Sequence, residues 1–275
     1  MEFIKSIDSI TYLLVLLVVA MALEIVIPWR RSVKIDFTRW ARNASMAVYG
    51  TLLVSLLPAI AAYGASVTAQ EIGIGLLNWI NIPQWLALIV AVLALDLTSY
   101  GQHRILHKSY FFWRTHRTHH CDTHIDATTS LRFHPLETLF RVATEFIVIM
   151  AIGITPEGIL LSYLVKVFAN IFTHANIFLP PAILPIVSRV ITTPHIHRLH
   201  HATTNNYQYS NFGTIFTVWD QLFNTYVGPE NLHDDQRFGI DGVENIEEET
   251  FGNLVLDPFR TPKNAAIPKP DISEH

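Results

Sequence analysis

Three long apolar runs separated by short polar connections occupy the first hundred residues. Residues 10–28, ITYLLVLLVVAMALEIVIP, carry one charge, Glu24. Residues 44–69, ASMAVYGTLLVSLLPAIAAYGASVTA, carry none, and residues 82–102, IPQWLALIVAVLALDLTSYGQ, run straight into His103. Each is close to the ~20 residues that a helix needs to cross a hydrocarbon core about 30 Å thick. The pattern predicts three membrane helices, the second kinked at Pro58. A further apolar pair follows at 138–155 and 159–178, with TPEG at 155–158 as the turn between them. It carries Arg141, Glu145 and Lys166, and predicts a helical hairpin across the bilayer, with a shallower re-entrant hairpin as the alternative. Residues 177–191, IFLPPAILPIVSRVI, hold three prolines and suit an interfacial segment better than a span. The expected fold is therefore an all-α integral membrane protein with about four to five membrane helices.

Composition agrees with lipid contact. Of the 275 residues 50% are hydrophobic and only 15% charged, against about 25% charged in an ordinary soluble domain. A net charge of −4 gives no support to nucleic-acid binding. The single cysteine, Cys121, excludes an internal disulfide. The N-terminus has an early acidic residue and no small-residue cleavage site after its apolar run, so it reads as a retained membrane segment. Topology follows from basic residues. The first connection holds Arg30, Arg31, Lys34, Arg39 and Arg42, whereas residues 67–82 hold no Lys or Arg. The first connection is thus expected in the cytoplasm, and the third helix delivers His103 to the same side. Three regions are expected: an N-terminal transmembrane part at 1–89, a catalytic domain at 90–228, and an acidic tail at 229–275 read as solvated and partly flexible. The tail has 11 acidic and four basic residues.

The chemistry is concentrated in histidine. Six of the chain's 14 histidines stand in the 24 residues HRILHKSYFFWRTHRTHHCDTHID, 103–126. His103 and His107 are four apart; His116, His119 and His120 form HRTHH; His197, His200 and His201 form HRLHH. Asn170 and His174, in NIFTH, are again four apart. On a helix, positions i, i+3 and i+4 share a face, so each box is expected to aim its imidazoles at a common point. Eight histidines in such sets exceed what one tetrahedral ion takes and suit two metals with open positions. Imidazole suits iron, zinc, copper and nickel alike, so ligand type does not name the metal. His233 and His275 read as ordinary surface residues. His195, two residues before a box, and His124 are not expected to be ligands.

The segments DLTSYGQHRILH, WRTHRTHHCDTHIDATTSLRFHPLE, FTHANI and HRLHHATTNNYQYSNFGTIFTVWDQLFNTY together resemble the fatty acid hydroxylase/sterol desaturase superfamily, over about residues 90–228. The resemblance implies a membrane-bound non-haem enzyme with two iron ions, isolable with zinc, whose histidine-rich helical cap faces the cytoplasm. It implies use of O2 and two electrons to hydroxylate or desaturate a lipid, whether sterol, fatty acyl chain, ether lipid or carotenoid. The implied metal ligands are His103, His107, His116, His119, His120, His197, His200 and His201, with His174 as a ninth. Asn170 stands where some relatives carry a histidine. No HPGG haem motif is present, so electrons are expected from a separate cytochrome b5-, ferredoxin- or rubredoxin-like protein.

Imidazole ligands need acceptors that fix which nitrogen binds, and Asp96, Asp122, Asp126, Glu137 and Asp220 lie in suitable segments. Among these, Asp96 stands out because a carboxylate near the membrane is costly without a partner. His134 in RFHP is a further supporting candidate. Two other classes compete: a histidine-ligated haem electron carrier, and a divalent-metal transporter with ligands near the midplane. The topology is directly testable. A reporter fused after residue 228 should be active only in the cytoplasm, and labelling of a cysteine placed at 205 from outside intact cells would overturn it.

Overall fold

The computed structural model describes residues 9–31, 35–57, 62–203, 207–240 and 250–260. Pro58, Lys34 and His275 lie outside the described residues. Those described form helices joined by short connections, with isolated bridges at Pro28–Ile177, Ile191–Phe216 and Ala202–Phe238 and no named strand. The all-helical expectation holds.

The first helix, α1 (Ser9–Val26), turns Ile10, Leu14, Val18 and Val26 outward while Leu17 and Ala20 are buried. Glu24, the lone charge of this run, accepts from the backbone N–H groups of Ala127 and Asn176 at 2.8 and 2.7 Å. An acid in an apolar helix thereby ties that helix to the histidine-rich region. The expected second span is divided. Helix α2 (Phe37–Ser55) begins earlier than expected, because Asp36 caps it through the Arg39 N–H, and ends before Pro58. Proline disfavours helical geometry in the residue before it, and the apolar sequence resumes as α3 (Ala62–Ile72). A short α4 (Leu76–Trp79) follows Gly75, whose φ of +99° and tight approach to the Gly153 backbone leave no room for a Cβ.

Helix α5 (Gln84–Lys108) is, among the described residues, the one helix long and apolar enough to cross a membrane. Trp85, Ile89, Leu93 and Leu97, four apart, are exposed along one face. The opposite face buries Ala91, Leu95, Asp96, Ser99, Gln102 and His103. An outward stripe of large apolar side chains on a helix that carries buried polar groups suits lipid outside and a polar site inside.

After one extended residue, Ser109, the chain re-enters a helix as α6 (Tyr110–His120). A 3-10 turn at Ala127–Leu131 leads to the hairpin α7 (Pro135–Ile152) and α8 (Pro156–His174). Its turn is made by Gly153 in the left-handed region, φ +73°, and by Thr155, which caps α8 by accepting from Gly158 N–H. Helix α5 packs against α6, α7 and α8, while α2 and α3 pack on α7. Short helices α9 (Leu184–Ser188), α10 (Pro194–His200) and α11 (Val218–Leu222) complete the histidine region. In the proline-rich stretch Ile183, Ile186 and Val190 are exposed while Leu184 is buried.

The expectation of a solvated tail is corrected over its described part. Helix α12 (Phe251–Arg260) buries Leu254 against Met46 and Cys121. Asp257 pairs with Arg117 at 3.3 Å, and Val255 C=O meets His134 Nε2 at 3.1 Å. Gln236 and Phe238 are buried as well. The acidic excess of the region hid an amphipathic helix that itself carries only two charges, Asp257 and Arg260.

Candidate metal centre

Four helices end at one place. The last two turns of α5 bring His103 and His107, α6 brings His116, His119 and His120, the C-terminus of α8 brings His174, and α10 with the residue after it brings His197, His200 and His201. All are buried. The nine histidines expected as ligands are the nine that the structure gathers, in two groups. One contains His103, His107, His116, His120 and His200; the other contains His119, His174, His197 and His201. Within each group the offered nitrogens lie within 4.8 Å of one another.

This partition corrects the expectation that each box aims at one point. In HRTHH the outer pair, His116 and His120, joins the first group while His119 joins the second; in HRLHH the outer pair, His197 and His201, joins the second while His200 joins the first. Helical geometry explains the exchange. At about 100° per residue, positions i and i+4 lie ~40° apart, whereas i+3 and i+4 lie ~100° apart. The middle histidine therefore crosses to the neighbouring group. His120 and His201, one from each group, stack with ring centroids 4.3 Å apart and form the seam.

Hydrogen bonds select the inward nitrogen. Nδ1 of His103 donates to Phe212 C=O at 2.9 Å, Nδ1 of His200 to Ser210 C=O at 2.7 Å, and Nδ1 of His174 to Asn170 C=O at 2.7 Å. Nδ1 of His116 meets Glu137 at 3.0 Å. A proton held at Nδ1 leaves Nε2 as the lone-pair nitrogen. In the second group the Nε2 atoms meet in a chain: His119–His174 at 3.1 Å, His174–His197 at 3.0 Å and His197–His201 at 3.2 Å. In the first group the Nε2 atoms of His103, His107, His116, His120 and His200 are buried without a hydrogen-bond partner.

Protons do not resolve this crowding. Burial holds His119, His120 and His201 well below the usual histidine range, helped at His201 by the Arg198 charge, and burial takes His200 to about 3. These are neutral rings with inward lone pairs. Two nitrogens bound to one ion at ~2.1 Å stand at most about 4.2 Å apart, close to the spacing observed. Divalent cations fit both groups, and the donor set is all nitrogen.

The supporting residues divide differently from expectation. Glu137, wholly buried, touches a grouped histidine directly and is also held by Arg141 at 2.7 Å. Its two carboxylate oxygens are thus both engaged, Oε2 by His116 Nδ1 and Oε1 by the Arg141 guanidinium. Asp220 and Asp96 act one step further out. Asp220 accepts from Phe212 and Gly213 N–H, both at 2.8 Å, and Asp96 accepts from Ile215 and Phe216 N–H and the Trp219 indole. Together they shape the loop whose Phe212 carbonyl orients His103. Asp122 and Asp126 are bridged by the buried Arg39, and Asp126 also accepts from the Trp40 indole at 2.9 Å. His134 caps α7 through Leu136 N–H and contacts α12; it supports the fold.

His124 is exposed and lies outside both groups, His195 packs edge-on to Trp29 at 5.8 Å, and His233 is exposed. The Asn170 amide donates to Ser130 C=O at 3.1 Å. Sequence reasoning missed the carbonyl acceptors, since any residue type supplies one. It also read Arg39 only as a topology charge, although DFTRW at 36–40 pairs a cation and an indole on one turn.

Comparison with known proteins agrees with this geometry. Residues 88–225, half of the chain, match the fatty acid hydroxylase family. An ornithine lipid hydroxylase of Rhizobium tropici is 30% identical over 149 residues, 53% of this chain and 44% of that protein. An alkylglycerol monooxygenase of Caenorhabditis elegans is 30% identical over 163 residues, 58% of this chain and 30% of its own length. A very-long-chain aldehyde decarbonylase of Oryza sativa subsp. indica is 28% identical over 188 residues, 67% and 71% of the two chains. The chain thus spans less than half of the first two relatives. No solved structure matches.

Glu137 gives this site its clearest test. Glu137→Gln keeps the shape but removes the charge that polarises His116, and should weaken metal retention about 10–100-fold. Elemental analysis after graded chelation measures it; unchanged retention would contradict the assigned role.

Proposed function

The chain belongs to the fatty acid hydroxylase family, and on that premise we propose that it is a membrane-bound di-iron oxygenase acting on a lipid C–H bond. The observation that carries this reading is the sorting of nine buried histidines into two adjoining groups with inward lone pairs. His103, His107, His116, His120 and His200 hold one iron, and His119, His174, His197 and His201 hold the other; zinc occupies the same nitrogens when it is the available ion. When bound, the metal pair supplies the oxidising chemistry that no side chain has. Hydroxylation places one oxygen atom of O2 in the substrate and reduces the other to water with two electrons and two protons. Desaturation consumes the same electrons and protons, forms a C=C bond, and releases both oxygen atoms as water.

The chain's own residues position and shield. Glu137 and the carbonyls of Asn170, Ser210 and Phe212 hold Nδ1 protons, so that Nε2 points inward. The burial of all nine rings keeps bulk water away. Electrons come from a separate cytochrome b5-, ferredoxin- or rubredoxin-like donor. The catalytic domain spans 90–228; α1, the divided second run of α2 and α3, and α5 cross the bilayer with the α7–α8 hairpin, and the centre faces the cytoplasm. The names of the relatives point to chain-type lipids with a polar end. A haem carrier or metal transporter is disfavoured, because the imidazoles converge in groups of five and four at the polar ends of helices.

Replacing His119 or His200 with alanine removes the histidine that each triplet sends across to the other group. Product formation should fall to background while the membrane-inserted protein remains, and His233→Ala should retain most activity. Turnover of both box variants at the wild-type rate, with O2 and a reductant, would end the di-metal oxygenase reading.

A further inference from the structure

Between α3, α5, α7 and α8 lies a cavity of about 1090 Å³. Its walls are largely apolar, with Leu88, Leu95, Val142, Ile159, Leu161 and Val167 among them. It runs along α8 from Pro156 to Asn170, which at ~1.5 Å per residue is about 21 Å. A second, smaller space of about 90 Å³ is lined by His103, His116, His119, His174 and His197. The two share Phe133, Arg141, Lys166 and Asn170. The apolar cavity therefore ends at the histidines, and the join is polar.

That join holds an ion pair that neither the fold nor the histidines call for. Lys166 Nζ meets Glu145 Oε1 at 2.6 Å between α8 and α7, with 32% and 17% of the two side chains still open. Ionisable groups inside a membrane hairpin are costly and mark functional positions. Arg141 at the same join is engaged by Glu137 and Gln102. Lys166 has three N–H donors, and Glu145 engages one of them. Resting on the oxygenase reading, we infer that Lys166, held by Glu145, is a specificity-determining residue that binds an acceptor oxygen at the polar end of a long-chain lipid whose alkyl chain fills the cavity. The chain lies away from the histidines and the polar end beside them. Oxidation consequently falls within a few bonds of the polar group rather than at mid-chain.

The test needs no turnover. The full chain in phosphatidylcholine nanodiscs is irradiated with a long-chain fatty acid bearing a diazirine near its methyl end, or with the matching alkane. The fatty acid should label peptides containing Leu88 and Pro156–Leu161. The double variant Glu145→Gln/Lys166→Met, which leaves no unpaired charge, should lower that labelling about tenfold, as for loss of one charge-assisted hydrogen bond. Lys166→Arg should keep it, alkane labelling should not change, and Leu161→Trp should suppress both probes by filling the cavity. Fatty-acid labelling equal in wild type and double variant, labelling concentrated at residues 116–133, or no cavity labelling in wild type would each overturn the inference. Iron content is measured alongside: a selective probe result in a chain that takes up no iron would remove the oxygenase reading and leave the lipid site standing.

Discussion

Nine buried imidazoles whose ring nitrogens are turned toward one another form the constraint on which the rest of this structure depends. His174 donates its Nδ1 proton to Asn170, so its Nε2 offers only a lone pair, yet the Nε2 atoms of His119 and His197 lie 3.1 and 3.0 Å away. Burial opposes protonation, and apolar neighbours cannot satisfy a lone pair. A divalent cation in each group would turn this arrangement into a stable one, and the stability of the core and the binding of metal would then be one property.

That constraint reaches well beyond the ligands. Asp96 and Asp220 hold the loop that carries the Phe212 carbonyl, Arg39 joins Asp122 to Asp126, and Glu24 binds the first helix to Ala127 and Asn176. The buried Arg39 pairs belong to the class in which loss of one partner costs about 3–5 kcal/mol. Polar groups that would be liabilities in apolar helices instead fix where those helices end. The helix of the acidic tail closes the same region from another side, through Asp257 and Val255.

Much of the centre was legible in the sequence because its signal is local. Spacing of three and four residues identified eight of the grouped histidines, whereas His174, and the exclusion of His124 four residues after His120, rested on the family resemblance. The division of each triplet between groups was not legible as read, because facing helices decide which ion each direction meets. The support of His103 and His200 by backbone carbonyls carries no residue-type signal. Glu137 and Arg39 were visible as charges, but only three-dimensional proximity separates a carboxylate that touches an imidazole from one that braces a loop. The divided second apolar run reflects a competition between continuous hydrophobicity and helix boundaries, and Asp36 and Ser55 mark where the boundaries prevailed.

Anomalous diffraction at the iron edge from iron-loaded protein addresses the crossed pairing most directly. The account predicts two iron peaks, with His200 bound beside His103, His107, His116 and His120, and with His119 bound beside His174, His197 and His201. A single peak, or two peaks with each HxxHH triplet bound wholly to one ion, would contradict it.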